Sequence, residues 1–182
     1  GLTFVTISPA AWKTMKERKT PIASFYANLM AFDGYFEKQW FPYTMPISDI
    51  RGLRTAFENI QADPDILGRH ARIAEAVRSA LTGCGLTLHT RDGWSNTVSV
   101  FDVPEGTTAS AILAALRTDY NLMLAGSFDV LEGQVIRIGH MGENAREEKV
   151  LAVMKALDGV MAKLGVALSG SLEAAYTRAL DN

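Results

Sequence analysis

The spacing of apolar residues changes along this chain near residue 86. Before that point most apolar residues recur every three or four positions, which is the period of an amphipathic helix. After it, short runs rich in β-branched residues alternate with helical stretches, as strands and helices do in α/β folds. The pattern therefore predicts a mainly helical first part and an α/β second part.

In the first part, residues 1–8 form a β-branched run that predicts a strand. Such a strand would lack neighbours for its backbone groups, and this suggests a fragment of a larger protein. Ser8 and Pro9 have the form of an N-cap and a first helical position, and they predict a helix over residues 10–18. Two further helices follow on either side of Pro64, and we expect them to connect two domains. Their apolar stripes are Ile47, Ile50, Leu53, Phe57 and Ile60, and then Ile66, Ile73, Val77 and Leu81.

The second part predicts a small α/β sandwich with helices packed on a small sheet. Strands are expected over residues 86–89, 97–103, 122–125 and 135–141, with a helix over residues 108–117. The residues from Asn144 to Glu147 have the form of a capping box for a long helix that ends before Gly165. A last helix is expected over residues 171–180.

Composition and charge narrow the classes of function. The chain has 182 residues, of which 48% are hydrophobic, so it can bury a core. Its formal charge of −2 argues against a partner that is a nucleic acid or an anionic membrane. Its single cysteine, Cys84, rules out an internal disulfide, and no Cys/His cluster has the spacing of a metal site. No apolar run approaches the ~20 residues of a membrane span, and we expect a cytoplasmic protein that binds small molecules or another protein.

Arg137 is the strongest candidate for binding chemistry. Period-two alternation places Ile136 and Ile138 on one face of the predicted strand and Arg137 on the other. A charged group within an apolar strand needs a partner, and a planar guanidinium matches a carboxylate through two parallel hydrogen bonds. Arg137 therefore fits the carboxylate of an amino acid or oxo acid. A salt bridge to an internal Asp or Glu is the alternative.

Other candidates are weaker. His140 lies on the opposite face from Arg137 and fits a packed, hydrogen-bonded histidine better than a catalyst, and neither His70 nor His89 falls in a motif. Tyr43 and Thr44 stand in a turn before a helix, where they would bind a phosphate or simply cap the helix. The aromatic segment 24–40 is typical of a core or a subunit interface. From the residues themselves, the prediction stops at an α/β domain with a carboxylate-binding arginine.

Four segments in register resemble the class V aminotransferases, in particular the alanine–glyoxylate and serine–glyoxylate enzymes. They are Gly1-Leu2-Thr3-Phe4-Val5-Thr6-Ile7-Ser8; Arg18-Lys19-Thr20 followed by Ser24-Phe25-Tyr26; Tyr43-Thr44-Met45-Pro46 with Leu53-Arg54; and Arg137-Ile138-Gly139-His140-Met141-Gly142. Their order and spacing match along nearly the whole chain.

The resemblance implies the carboxy-terminal half of a fold type I enzyme that carries pyridoxal phosphate on a lysine. That lysine precedes a Pro-Pro-Gly turn whose glycine Gly1 resembles, so the chain itself would contain no catalytic lysine and would be inactive alone. Residues 1–62 would be the end of the large cofactor domain with a dimer-interface segment, and residues 63–182 a connecting helix with the small domain. The intact enzyme would be a homodimer.

The resemblance also assigns site residues. Arg137 matches the arginine that binds the substrate carboxylate, and Thr44 matches a threonine that reaches the cofactor phosphate of the neighbouring subunit. Family members commonly have a tyrosine where this chain has Phe41, so either Tyr43 takes over that contact or the phosphate has one ligand fewer.

The implied activity moves an amino group between a small amino acid, alanine or serine, and an oxo acid such as glyoxylate or pyruvate. One alternative is another class V enzyme, such as aminoethylphosphonate–pyruvate transaminase. The other is a non-catalytic α/β module that binds a carboxylate or a protein partner.

Overall fold

The computed structural model of the chain describes residues 1–181, and it divides into two compact units, with the boundary between Pro64 and Asp65. The first unit contains a 3₁₀ turn, Leu29–Phe32, and two helices, α1 (Pro9–Lys16) and α2 (Ile47–Ala62). The second unit contains, in chain order, α3 (Ile66–Gly83), β1 (Val98–Asp102), α4 (Ala109–Tyr120), β2 (Val135–Gly139), α5 (Glu147–Lys163) and α6 (Leu172–Leu180). Within residues 1–181, no helix is both long and apolar enough to cross a membrane.

Helix α1 begins as its sequence predicts. Ser8 is the N-cap, its hydroxyl accepts a hydrogen bond from the N–H of Ala11 at 3.2 Å, and Pro9 occupies the first helical position. The cap satisfies one of the N–H groups that have no partner inside the helix. Local sequence is sufficient to define this helix, although none of its side chains is buried.

The strand predicted over residues 1–8 is wrong for this structure, in which no strand forms over those residues. A β-branched run forms a strand only when a neighbouring strand pairs with its N–H and C=O groups. The first unit contains no such strand, and Phe4 instead packs edge-on against Phe57 of α2, with ring centroids 6.1 Å apart.

The second unit buries its core between helices and a small antiparallel sheet. Strands β1 and β2 pair in a register that places Val100 opposite Arg137 and Phe101 opposite Ile136. Helix α6 packs on both α3 and α5, α4 packs on α5, and α3 also contacts β1. The largest fully buried side chains are Tyr176, Phe101, Ile73, Leu81, Ile112, Leu116, Ile136, Ile138, Met154, Leu157, Met161 and Leu172. The predicted class, α/β with helices on a small sheet, is confirmed.

Two further predicted strands are reduced to single bridges. Leu88 bridges to Phe101 and Ala125 bridges to Arg137, so residues 86–89 and 122–125 each pair with the sheet through a single bridge. The apolar pattern located the segments that border the sheet. It overestimated their length, because pairing depends on backbone partners as well as on residue type.

The predicted capping box before α5 is also wrong. Asn144 ends a 3₁₀ turn, Gly142–Asn144, and the N-cap of α5 is Arg146, whose side chain makes no capping hydrogen bond. Glu147 and Glu148 lie in the first turn of α5, where their negative charges interact favourably with the positive end of the helix dipole. The end of α5 agrees with prediction, since Gly165 follows it with a φ of 75°.

Asp158 of α5 secures the start of α6. Its carboxylate accepts hydrogen bonds from the Ser171 hydroxyl at 2.7 Å, the N–H of Leu172 at 2.7 Å and the N–H of Glu173 at 3.0 Å. Ser171 is itself the N-cap of α6. A carboxylate at a helix N-terminus accepts hydrogen bonds from N–H groups that have no intrahelical partner. Its negative charge also interacts favourably with the positive end of the helix dipole. The contact therefore holds α6 onto α5.

Replacing Asp158 by Ala should lower the free energy of unfolding by about 2 kcal/mol, because N–H groups of α6 lose a charged acceptor. The measurement is urea denaturation followed by circular dichroism. Asp92→Ala is the matched control, since Asp92 is exposed and makes no hydrogen bond or ion pair within residues 1–181, and it should leave the midpoint unchanged. Equal midpoints for the two variants would contradict this account of α6.

Candidate functional site

Arg137 stands at the centre of β2, on the face opposite the core. Ile136 and Ile138 are buried on one face of the strand, and Arg137 is half-buried on the other. The strand is held on both sides, by β1 and by Ala125, whose carbonyl accepts the Arg137 N–H at 2.7 Å. The predicted alternation along β2 is confirmed, and the backbone of Arg137 is hydrogen-bonded on both sides of the strand.

The Arg137 guanidinium has a main-chain partner. Its Nε donates to the carbonyl oxygen of Gly126 at 2.6 Å, and within residues 1–181 it forms no ion pair with a carboxylate. The internal salt bridge that was the alternative reading of Arg137 is absent from this part of the chain. Because the carbonyl is neutral, no group of residues 1–181 compensates the positive charge, and neither terminal nitrogen has a partner in that part of the chain, so both can bind an anion.

The two candidate phosphate ligands, Tyr43 and Thr44, lie in the first unit and differ in their availability. The Tyr43 hydroxyl donates to the Phe25 carbonyl at 2.9 Å, and its ring stacks on Tyr26 with centroids 5.3 Å apart. Thr44 is exposed, and its hydroxyl has no hydrogen bond within residues 1–181. Tyr43 would therefore have to give up an existing bond to donate to a phosphate, whereas Thr44 would not.

The start of α2, just after Thr44, also has donors to offer. The N-cap residue is Pro46, which provides no side-chain hydrogen bond to the first turn. Backbone N–H groups of an uncapped first turn are suitable donors to a phosphate. Together with the free hydroxyl of Thr44, this turn has the donor groups that a phosphate needs, although Asp49 in the same turn would oppose an anion.

His140 is a core residue, as the sequence favoured. Its side chain is fully buried, and its Nε2 lies 2.9 Å from the hydroxyl of Ser99 on β1. Burial lowers the pKa of His140 below its ordinary value, because the charged imidazolium would lose its water. His140 therefore supports the inner face of the sheet, opposite Arg137.

His89 and Cys84 have local roles. His89 pairs at the surface with Asp102, with Nδ1 and Oδ1 2.7 Å apart. Cys84 is buried at the end of α3, and burial raises the pKa of its thiol. Within residues 1–181, no group of three or more His, Cys, Asp or Glu residues is placed to hold a metal ion.

Sequence reasoning assigned no role to two groups, one that contacts Arg137 and one that contacts the chain just beyond β2. One is the Gly126 carbonyl, which carries no side-chain signal. The other is His70, which lies on the apolar stripe of α3 between Ile66 and Ile73. A polar side chain on an apolar stripe needs a buried or half-buried partner, and that signal was available. Its partner is the N–H of Gly142, just beyond β2, at 3.1 Å.

Comparison with known proteins places the chain among longer relatives. No family model matches it. It is 34% identical over 167 residues to a protein of Synechococcus sp. named soluble hydrogenase, small subunit, and the match covers 91% of this chain and 43% of that protein. It is 32% identical over 184 residues to the serine–glyoxylate aminotransferase of Arabidopsis thaliana, covering 97% of this chain and 45% of that enzyme.

A solved structure agrees with these relatives. The crystal structure of pyridoxamine–pyruvate aminotransferase from Mesorhizobium loti superposes with a TM-score of 0.84 at 28% identity, covering 96% of this chain and 46% of that chain. The chain thus spans less than half the length of the relatives that it matches. In sequence and in fold, it is a homologue of the class V aminotransferases.

Proposed function

We propose that this chain is the carboxy-terminal part of a pyridoxal-phosphate-dependent aminotransferase. The complete enzyme would move an amino group between a small amino acid, alanine or serine, and an oxo acid such as glyoxylate or pyruvate. Arg137 is the observation that carries this proposal, because its charge lies on the outer face of β2 with a neutral partner. The lysine that holds the cofactor would lie outside this chain, which we therefore expect to be inactive alone.

Arg137 would bind the substrate carboxylate through its two terminal nitrogens. Since Nε already donates to Gly126, the end of the guanidinium remains as the edge that offers two parallel N–H groups. Bonds to both carboxylate oxygens would fix the direction of the substrate's α-carbon. Arg137 would position the substrate, while the bound cofactor would supply the electron sink that makes the α-proton acidic.

Thr44 and the first turn of α2 would bind the phosphate of the cofactor. The free hydroxyl of Thr44 and the uncapped backbone donors after Pro46 support this assignment. Tyr43 is the second candidate ligand, and it would need to release the Phe25 carbonyl. Phe41 has no hydroxyl, so the site would hold the phosphate with fewer side-chain donors if Tyr43 keeps its present bond.

The proposed enzyme is a cytoplasmic homodimer in which the first unit is covered by further protein. No side chain of residues 1–64 is fully buried, and aromatic side chains of the segment 24–40 are widely exposed, Tyr26 to 81% and Phe36 to 74%. Exposed aromatic surface of this kind is typical of a protein interface. The division at Pro64 is compatible with a large-domain segment followed by a small domain.

In the full-length enzyme, Arg137→Ala should raise the KM for the amino donor about 10- to 100-fold, because the carboxylate loses charge-assisted hydrogen bonds. The absorbance of the bound cofactor should persist. The KM is measured by steady-state kinetics with L-serine or L-alanine as donor and glyoxylate as acceptor. Arg91→Ala, which removes an exposed arginine, is the control; a KM that Arg137→Ala leaves unchanged would remove Arg137 from the site.

Thr44→Val should weaken the retention of pyridoxal phosphate about tenfold, since the hydroxyl is replaced by a methyl group of the same shape. Cofactor loss during dialysis, followed by absorbance, measures the effect. Thr55→Val is the matched control, because the Thr55 hydroxyl donates to the Arg51 carbonyl within α2. This variant should retain the cofactor as the unsubstituted enzyme does. Equal retention by both variants would exclude Thr44 as a phosphate ligand.

The non-catalytic alternative makes a different prediction for the 182-residue chain itself. A self-sufficient carboxylate-binding module would bind pyruvate or glyoxylate saturably, and Arg137→Ala would abolish that binding. An aminotransferase fragment should bind neither ligand measurably, because the remaining contacts are missing. Isothermal titration of both acids into the chain separates these outcomes.

A further inference from the structure

The turn after β2 is held from outside the sheet by a side chain of α3. The His70 ring lies between two backbone groups: its Nδ1 is 2.6 Å from the Ile66 carbonyl, and its Nε2 is 3.1 Å from the N–H of Gly142. A carbonyl can only accept and an N–H can only donate. The two contacts therefore require the tautomer that carries hydrogen on Nδ1 and leaves Nε2 as the acceptor.

Two neighbours of His70 contact the same stretch of chain. The Nε of Arg69 donates to the Ala145 carbonyl at 2.9 Å, and Arg72 pairs with Glu147 at 3.0 Å. One turn of α3 thus contacts the chain at successive points from the turn after β2 to the first residue of α5. The Arg72 pair is exposed, so its contribution to stability is small. The bond from Gly142 to His70 also lies at the surface, while the bond of the same ring to Ile66 is half-buried.

The held turn directly follows the strand that carries Arg137. The sheet has two strands, so the C-terminal end of β2 depends on few ladder bonds, namely the pairing of Gly139 with Val98 and the bond from the N–H of His140 to the Thr97 carbonyl. Gly142 then turns the chain with a φ of 57°, in the left-handed region that favours glycine. Its N–H points out of the sheet, and His70 is the group that accepts from it.

We propose that His70 is a positioning residue for the substrate site: by accepting from the N–H of Gly142, it fixes the end of β2 and hence the placement of Arg137. This inference rests on the proposed function of Arg137. His70 itself touches no reacting atom. Since a bidentate contact to a carboxylate depends on the placement of the guanidinium, loss of the His70 acceptor should lower substrate affinity. We expect kcat to stay the same, because the cofactor and the reacting atoms lose no contact.

A pair of substitutions separates the two contacts of the ring. His70→Asn keeps a polar group near the position of Nδ1 and removes the acceptor for Gly142, whereas His70→Gln carries an amide oxygen near the position of Nε2 and retains it. In the full-length enzyme, with L-serine or L-alanine as donor and glyoxylate as acceptor, His70→Asn should raise the donor KM about fivefold, the equivalent of one lost hydrogen bond. Its kcat should be unchanged, and His70→Gln should restore the KM.

Amide hydrogen exchange of Gly142 in this chain provides the second readout. Exchange should be faster in His70→Asn by a similar factor and close to the original rate in His70→Gln. A donor KM that is the same in both variants as in the unsubstituted enzyme would overturn the proposal. So would an equal loss of activity and of cofactor absorbance in both, which would make His70 a residue of stability alone.

Failure of the proposed function gives a distinct result. If Arg137→Ala leaves the donor KM unchanged, or the full-length protein shows no transamination, the role of His70 toward a substrate falls with that function. The exchange of Gly142 would still show whether His70 holds the turn. If Arg137→Ala acts as expected while His70→Asn does not change the KM, only the inference about His70 is wrong.

Discussion

Burial of the inner face of β2 is the constraint on which the rest of the site depends. Ile136 and Ile138 are fully buried between β1 and the helices, and the side-chain period of a strand is two residues. Arg137 must therefore point away from the core. A shift of one residue in register would place the guanidinium inside and two isoleucines outside, at a cost comparable with the whole stability of a small domain. The face of the sheet on which the charge lies is thus determined by the hydrophobic pattern around it.

Local rules explain the parts of the fold that the sequence predicted well. Helix α1 begins at the Ser8–Pro9 pair, α6 begins at the Ser171 cap, and α5 ends at Gly165. Each boundary depends on residues within one turn of the chain, so a single sequence contains what is needed. The alternation along β2 belongs to the same class of signal, and it correctly separated Arg137 from its apolar neighbours.

Features that depend on distant partners could not be predicted in the same way. Residues 1–8 have the composition of a strand, yet a strand needs another strand beside it, and the first unit provides none. The Tyr43 hydroxyl, a candidate phosphate ligand, donates to the Phe25 carbonyl, which lies 18 residues away along the chain. The partner of His70 lies 72 residues along the chain. Such contacts follow from the tertiary fold, and no local pattern specifies them.

The contrast between Arg137 and two other arginines of the second unit, Arg72 and Arg78, favours a role in binding. Arg78 is paired with Glu75 and lies over the ring of Trp94, and Arg72 is paired with Glu147, so their charges are compensated within the unit. Arg137 is half-buried, where an uncompensated charge is costly, and it has only a neutral carbonyl at Nε within residues 1–181. A carboxylate partner would have removed that cost. Without such a partner the guanidinium is oriented but its charge is unpaired. In that state a carboxylate of the substrate binds it most favourably.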